Sequence, residues 1–159
     1  MSTTRAVILT LAVITSGLTT GLLAGFAYSV MPGLNRAGAS IAVPAMQRMN
    51  AAILNPVFAV IFFGGLLFAV LSAWLLWGEP LRWWAVAAAV LYLLAVLITL
   101  GLNVPLNDKL AAAGDTPPDV AQVWTDFVQP WVRWNIVRTV LHLAAFGTLV
   151  AGLVAHRGR

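Results

Sequence analysis

Four apolar runs, each about as long as a bilayer is thick, constrain this chain more than any other feature. A spanning helix needs ~20 mostly apolar residues. The runs cover residues 6–28, 56–77, 83–102 and 132–155 of a 159-residue chain. No soluble domain of this length has enough interior to bury so much apolar surface. Composition agrees: 61% of residues are hydrophobic and 9% are charged, against roughly 25% charged in soluble proteins. Mean hydropathy is +0.92. The expectation is an all-α, four-helix transmembrane bundle forming one domain over residues 1–159.

The first run is too long for the apolar core of a cleavable signal peptide, and no small-x-small cleavage site leads into a polar domain. Its Gly17, Gly21 and Gly25 are spaced by four, a face suited to close helix packing. Runs two and three are joined by a tight turn at residues 78–82. The other connections, 29–55 and 103–131, are long. Each holds a short amphipathic segment, 44–54 and 118–128, predicted to be helical. Four spans put both long connections on one side. The chain is therefore lopsided, with the termini and the tight turn on the bare side and two ordered loops on the other.

Nine basic residues face five acidic ones. No basic run interleaves with aromatics, so no nucleic-acid partner is expected. The positive charge reads instead as topology signal and contact with anionic lipid headgroups. Arg5, Arg82, Arg157 and Arg159 sit in very short segments on the bare side. Arg36, Arg48, Lys109 and Arg133 sit in longer segments with Asp108, Asp115, Asp119 and Asp126. Charge density favours a multi-pass inner-membrane protein of bacterial type with both termini cytoplasmic. Membrane lipids are the expected partners, and a homo-oligomer is open. With no cysteine, there is no disulfide, thiolate metal site or Cys nucleophile.

Polar residues at membrane depth are costly and point to function. They gather at the loop-bearing end. Asn135, Arg138 and His142 are spaced by three and four and so share a helix face. From the start of the fourth run, Arg138 lies roughly 8 Å deep and His142 roughly 14 Å. A guanidinium there needs a partner, and Asp108, Asp126, Asn103 and Asn107 are the nearest in topology. Gln47, Asn50 and Asn55 follow in the first loop, and Tyr28 closes the first run. Two readings stand. These groups tie helix ends together, or they line a site. Trp124 and Trp131 read as an interfacial belt. His156 belongs to a solvated tail. One deep histidine without a carboxylate in any span is a poor metal set, and if a metal binds, His142 is its ligand.

The segments Met31-Pro-Gly-Leu34, Met46-Gln47-x-x-Asn50 with Asn55-Pro56, Asn103-x-Pro105-Leu-Asn107 and Trp131-x-x-Trp134-Asn135-x-x-Arg138 resemble, in this order, the DUF1772, or anthrone oxygenase-like, membrane family. The resemblance spans most of the chain. It implies four helices and an oxidoreductase-like pocket, because some fungal members are implicated in oxidising anthrones to anthraquinones with dioxygen. It implies a small apolar aromatic ligand. Mapped onto this sequence, His142 becomes the base, Arg138 the counter-charge, and Asn103, Asn107 and Asn135 the orienting donors. Tyr28, Gln47, Asn50, Asn55 and Trp134 become substrate contacts. The cofactor is unspecified: none is one alternative, and a metal or a haem with His142 as axial ligand is another. A non-enzymatic membrane protein that binds a lipid-like ligand or partner subunit is the other class of reading.

Overall fold

The computed structural model describes residues 2–114 and 117–157. Asp115 and Arg159, used above to weigh charge, lie outside the described residues, as does the side chain of Arg157. Every described element is helical. In chain order they are α1 (Thr3–Gly25), a π-helical turn (Phe26–Val30), α2 (Met31–Ala37), α3 (Ala39–Ile53), α4 (Pro56–Leu75), α5 (Arg82–Ile98), a second π-helical turn (Thr99–Asn103), α6 (Val104–Ala112) and α7 (Val120–Arg157). Four continuous helical stretches are long and apolar enough to cross a membrane: Thr3–Ala37, Pro56–Leu75, Arg82–Ala112 and Val120–His156.

The bundle is a ring in which α1 packs on α4, α4 on α5, α5 on α7 and α7 back on α1. Its core is built from Leu9, Ala12, Phe62, Ala88, Tyr92, Val96, Ala145 and Leu149. A second core lies at the loop-bearing end. There Met31, Val43, Met46, Leu110, Trp124, Phe127 and Trp131 pack together. The long connections are thus a helical cap with its own interior. Trp124 and Trp131 are only 5% and 3% exposed, which corrects their reading as an interfacial belt. They fill the cap core. The exposed indoles are Trp74, Trp77, Trp83 and Trp84, at the opposite end. There Arg82 lies 4.3 Å from both the Trp77 and Trp83 ring centroids. The glycine face of α1 is also less used than its spacing implied. Gly17 abuts Phe146, whereas a Cβ on Gly21 or Gly25 would meet nothing within 4 Å.

The helix boundaries follow local chemistry. Gly38, at φ +87°, separates α2 from α3, so α3 begins before Pro44 and contains it. Segment 118–128 is helical from Val120 onward and runs unbroken into the fourth span. Pro130 lies inside that 38-residue helix, where it supplies no N–H to the carbonyl one turn back. Both π turns precede a proline, Pro32 and Pro105. Met31 N–H bonds to Phe26 O, and Val104 N–H to Thr99 O, five residues back. A proline ring collides with the carbonyl four residues earlier and offers it no donor. The widened turn accommodates this without ending the helix.

Asn55 joins α3 to α4. Its Oδ1 accepts from Phe58 N–H at 3.0 Å, and its Nδ2 donates to Ala52 O at 2.9 Å. One side chain thus caps the start of α4 and ties the end of α3. Asn55→Ala is expected to cost about 1 kcal/mol, read as a lower thermal midpoint in detergent. An unchanged midpoint would mean that water replaces the cap without loss.

Candidate functional site

The helix spacing on α7 puts Asn135, Arg138 and His142 on one buried face. Asn135 is the anchor. Its Nδ2 donates to Leu23 O at 3.1 Å, tying α7 to α1. Its Oδ1 accepts from Arg138 Nε at 3.2 Å and Nη2 at 2.9 Å. Arg138 Nη1 donates to Thr99 Oγ1 at 3.3 Å, and Thr99 Oγ1 donates to Ala95 O at 2.9 Å. The Trp131 ring lies 5.4 Å from the guanidinium carbon. Thr99 opens the second π turn, so the widened helix supplies one wall of the guanidinium's cradle.

These partners are neutral. Among the described residues the ion pair is Arg5–Glu79, at 3.5 Å on the bare side. The sequence pointed to Asp108, Asp126, Asn103 and Asn107 as the nearest partners for Arg138. The structure corrects this, and none of the four bonds it. Asp108 is exposed and lines the cavity that Arg138 borders without pairing with it, and Asp126 accepts from Gln122 at 2.8 Å. Guanidinium has five N–H donors, and the three hydrogen bonds above leave two uncommitted. Arg138 is 7% exposed, and it borders a cavity of about 310 Å³. That volume is at the lower end of small-molecule sites, ~300–1,000 Å³.

The cavity lies between the bundle and the cap. Leu23, Phe26, Met49, Ile53, Leu54, Phe58, Val104, Ala111 and Trp131 make its walls largely apolar. Gln47, Asn50, Thr99, Asn107, Asp108 and Arg138 supply its polar groups. Two of these are committed to structure. Asn107 Oδ1 accepts from Trp131 Nε1 at 2.7 Å. Gln47 Nε2 donates to Leu110 O at 2.8 Å and Gly114 O at 3.0 Å, fastening α3 to the end of α6. Asn103 is buried behind this lining and donates from Nδ2 to Trp131 O at 3.2 Å.

Of the residues singled out from sequence, Arg138, Asn107, Asp108, Gln47 and Asn50 come together at the cavity. Asn103 and Asn135 stand directly behind it. Four do not line it. Tyr28 is 77% exposed on the first π turn. Asn55 is engaged as a helix cap. Trp134 lies beside Arg133, whose guanidinium carbon is 5.7 Å from its ring. His142 is fully buried one turn beyond Arg138, with Tyr92 and Phe62 at ring-centroid distances of 4.2 and 5.9 Å. Sequence reasoning missed Thr99 and Phe26. Thr99 stands four residues before Asn103 on the same face, which was an available signal. Phe26 carried none. Among the described residues no three His, Asp or Glu side chains gather in one place.

Arg138 is thus a buried cation with neutral hydrogen-bond partners, bordering a largely apolar cavity in a four-span helical bundle. A family model described as anthrone oxygenase matches residues 46–148 of the chain. The match covers about two thirds of the sequence, and the chain belongs to this family. The matched stretch contains Gln47, Asn50, Thr99, Asn103, Asn107, Asn135, Arg138 and His142. No curated protein and no solved structure matches the chain.

Proposed function

We propose that this protein is a membrane oxygenase that oxidises a flat, enolisable aromatic molecule of the anthrone class with dioxygen. The observation that carries this reading is the guanidinium of Arg138, held by Asn135 and Thr99 with no carboxylate bonded to it, and bordering a largely apolar cavity that Asp108 also lines. An anthrone has a ketone opposite a benzylic CH2. Loss of one benzylic proton sends the C–H electron pair into the ring system and leaves an enolate, with charge on the former ketone oxygen. In a low-dielectric cavity that oxyanion is the most expensive species on the path. Preorganised donors aimed at it lower its cost, and Arg138 has two N–H groups free for the task.

The enolate then passes one electron to dioxygen, and the resulting radical pair combines at the benzylic carbon. Protonation of the distal oxygen gives a hydroperoxide. Loss of the remaining benzylic hydrogen with cleavage of the O–O bond releases water and leaves a second carbonyl. The sum is anthrone plus dioxygen giving anthraquinone plus water. The apolar walls favour an uncharged aromatic body and exclude water from the enolate. The ligand can enter from the lipid phase, since Leu54, Ala51 and Ala111 are exposed residues bordering the cavity. In this reading both termini face the cytoplasm, with Arg5 and Arg82 in the short segments of that side.

The test is oxygen consumption and anthraquinone formation by the purified chain, reconstituted in lipid vesicles and supplied with anthrone. Turnover above protein-free vesicles supports the reading. Tight anthrone binding without turnover would instead make the protein a carrier of such molecules, and neither binding nor turnover would dismiss the proposal.

A further inference from the structure

His142 is the one deep imidazole in the bundle, and it does not line the cavity. Neither Nδ1 nor Nε2 finds a hydrogen-bond partner among the described residues. A neutral imidazole has one donor and one acceptor, and burying both unpaired is costly. Packing alone does not explain this choice of side chain, since an apolar residue between Tyr92 and Phe62 would leave no orphaned nitrogens.

The surroundings supply a direction. On α7, Asn135, Arg138 and His142 rise by about one turn each. On the facing helix, Asn103, Thr99 and Tyr92 follow in the same order. The two series are cross-connected at Asn103–Trp131 O, at Thr99–Arg138 and by the close Tyr92–His142 ring contact. Unsatisfied hydrogen-bonding capacity lies along this seam at Asn103 Oδ1 and at both nitrogens of His142, with Arg138 between them. At the far end the Tyr92 hydroxyl is occupied. It donates to Phe62 O at 2.7 Å and lies 3.0 Å from Thr19 Oγ1, so it does not serve the imidazole. Buried polar groups left open in this way are commonly joined by internal water, which needs two to four such partners.

We infer that His142 is the proton acceptor for the ligand bound at Arg138, reached through water held along the facing surfaces of α5 and α7. This rests on the function proposed above. The benzylic C–H bond of the anthrone breaks, its electron pair becomes the enolate, and its proton enters the water chain. A proton from the other end of the chain binds an imidazole nitrogen and makes His142 an imidazolium. The guanidinium is one turn away and repels that new charge, while the enolate beside Arg138 partly offsets it. Once dioxygen has consumed the enolate, the imidazolium returns its proton to the peroxide oxygen. Sealing the base away from the cavity keeps it from direct contact with dioxygen intermediates.

Without oxygen the cycle stops after the first proton transfer, and this stage is directly observable. Anthrone is titrated anaerobically into the reconstituted full-length chain and the enolate is followed by its visible absorbance. The chain has two histidines, His142 and the tail residue His156. Labelling histidine with 15N in a His156→Gln background therefore gives signals from His142 alone. The expected result is enolate in wild type and in His156→Gln, with at least tenfold less in His142→Gln although that variant still binds anthrone. The 15N signals should move to the doubly protonated positions when anthrone is added. Equal enolate in wild type and His142→Gln overturns the inference and leaves the proposed function standing. So do unchanged 15N signals in the presence of enolate, a measurement that needs no folded His142 variant. Absence of anthrone binding by wild type removes both.

Discussion

Replacing Arg138 by glutamine is expected to raise the thermal midpoint of the bundle while cutting anthrone turnover by about 10²- to 10³-fold, the usual effect of losing one preorganised oxyanion donor. The two effects have opposite signs for one reason. Arg138 is buried, and its described partners are a carboxamide, a hydroxyl and an indole face. A charge costs up to about 2.5–3.5 kcal/mol on insertion scales, the value at the helix centre. Arg138 makes one hydrogen bond between helices, to Thr99, and two within α7, to Asn135. At the interhelical average of about 0.6 kcal/mol each, with about 0.5–1 kcal/mol for a cation over an aromatic ring, these contacts return only part of that cost. Glutamine keeps one contact to Asn135, so the variant forfeits roughly 2 kcal/mol of contacts and sheds the larger charge term. A net gain of about 1 kcal/mol follows from these magnitudes. Unfolding and turnover are measured on the same preparation. A variant that is both less stable and fully active would show that Arg138 is a structural tie, and the functional reading of the cavity would fall with it.

The second large effect lies in the bundle core. A Cβ built on Gly65 collides with the Tyr92 ring. That ring cannot swing aside cheaply. It is fully buried, its hydroxyl is held by Phe62 O at 2.7 Å, and His142 packs against it edge-on at 75°. Gly65→Ala is expected to destabilise the chain by about 1–3 kcal/mol, the usual range for overpacking a closed core, and to lower turnover by displacing His142. Gly64→Ala is the internal control. Its nearest contact is a Phe68 ring carbon at 3.4 Å, an ordinary packing distance, so its midpoint should stay near wild type. Two alanine variants with indistinguishable midpoints would contradict the close approach of Tyr92 to α4.

Burying such long apolar runs has one inexpensive solution, so the four spans were readable from sequence alone. The polar face of α7 was readable for a similar reason, since offsets of three and four fix a common face on any α-helix. Other features were not. Pro130 reads as a boundary, yet cap and span are one helix because Trp124, Phe127 and Trp131 on the same rod bury against α3 and α6. The tryptophans of the cap and those of the opposite end have the same local sequence character, and only the packing of the cap separates core from belt. Tyr92 sits within an apolar run without any pattern to mark it. Its importance comes from Gly65, Phe62 and Thr19, which lie on other helices. The distance of His142 from the cavity depends on where the cap closes over the bundle, and no local pattern encodes that.

The two π turns carry a consequence for how the cap is hung. Geometrically each is an α-helix with one residue added, and one residue is about 100° of rotation. Everything after residue 30 and after residue 103 is therefore out of phase with the span that precedes it. In the observed phase Met31 and Leu110 point into the cap core. Deleting a single residue from either turn would bring α2 or α6 back into step with its span and turn those anchors toward lipid. The cavity roof is thus keyed to its floor by two insertions, each matched to a proline just downstream.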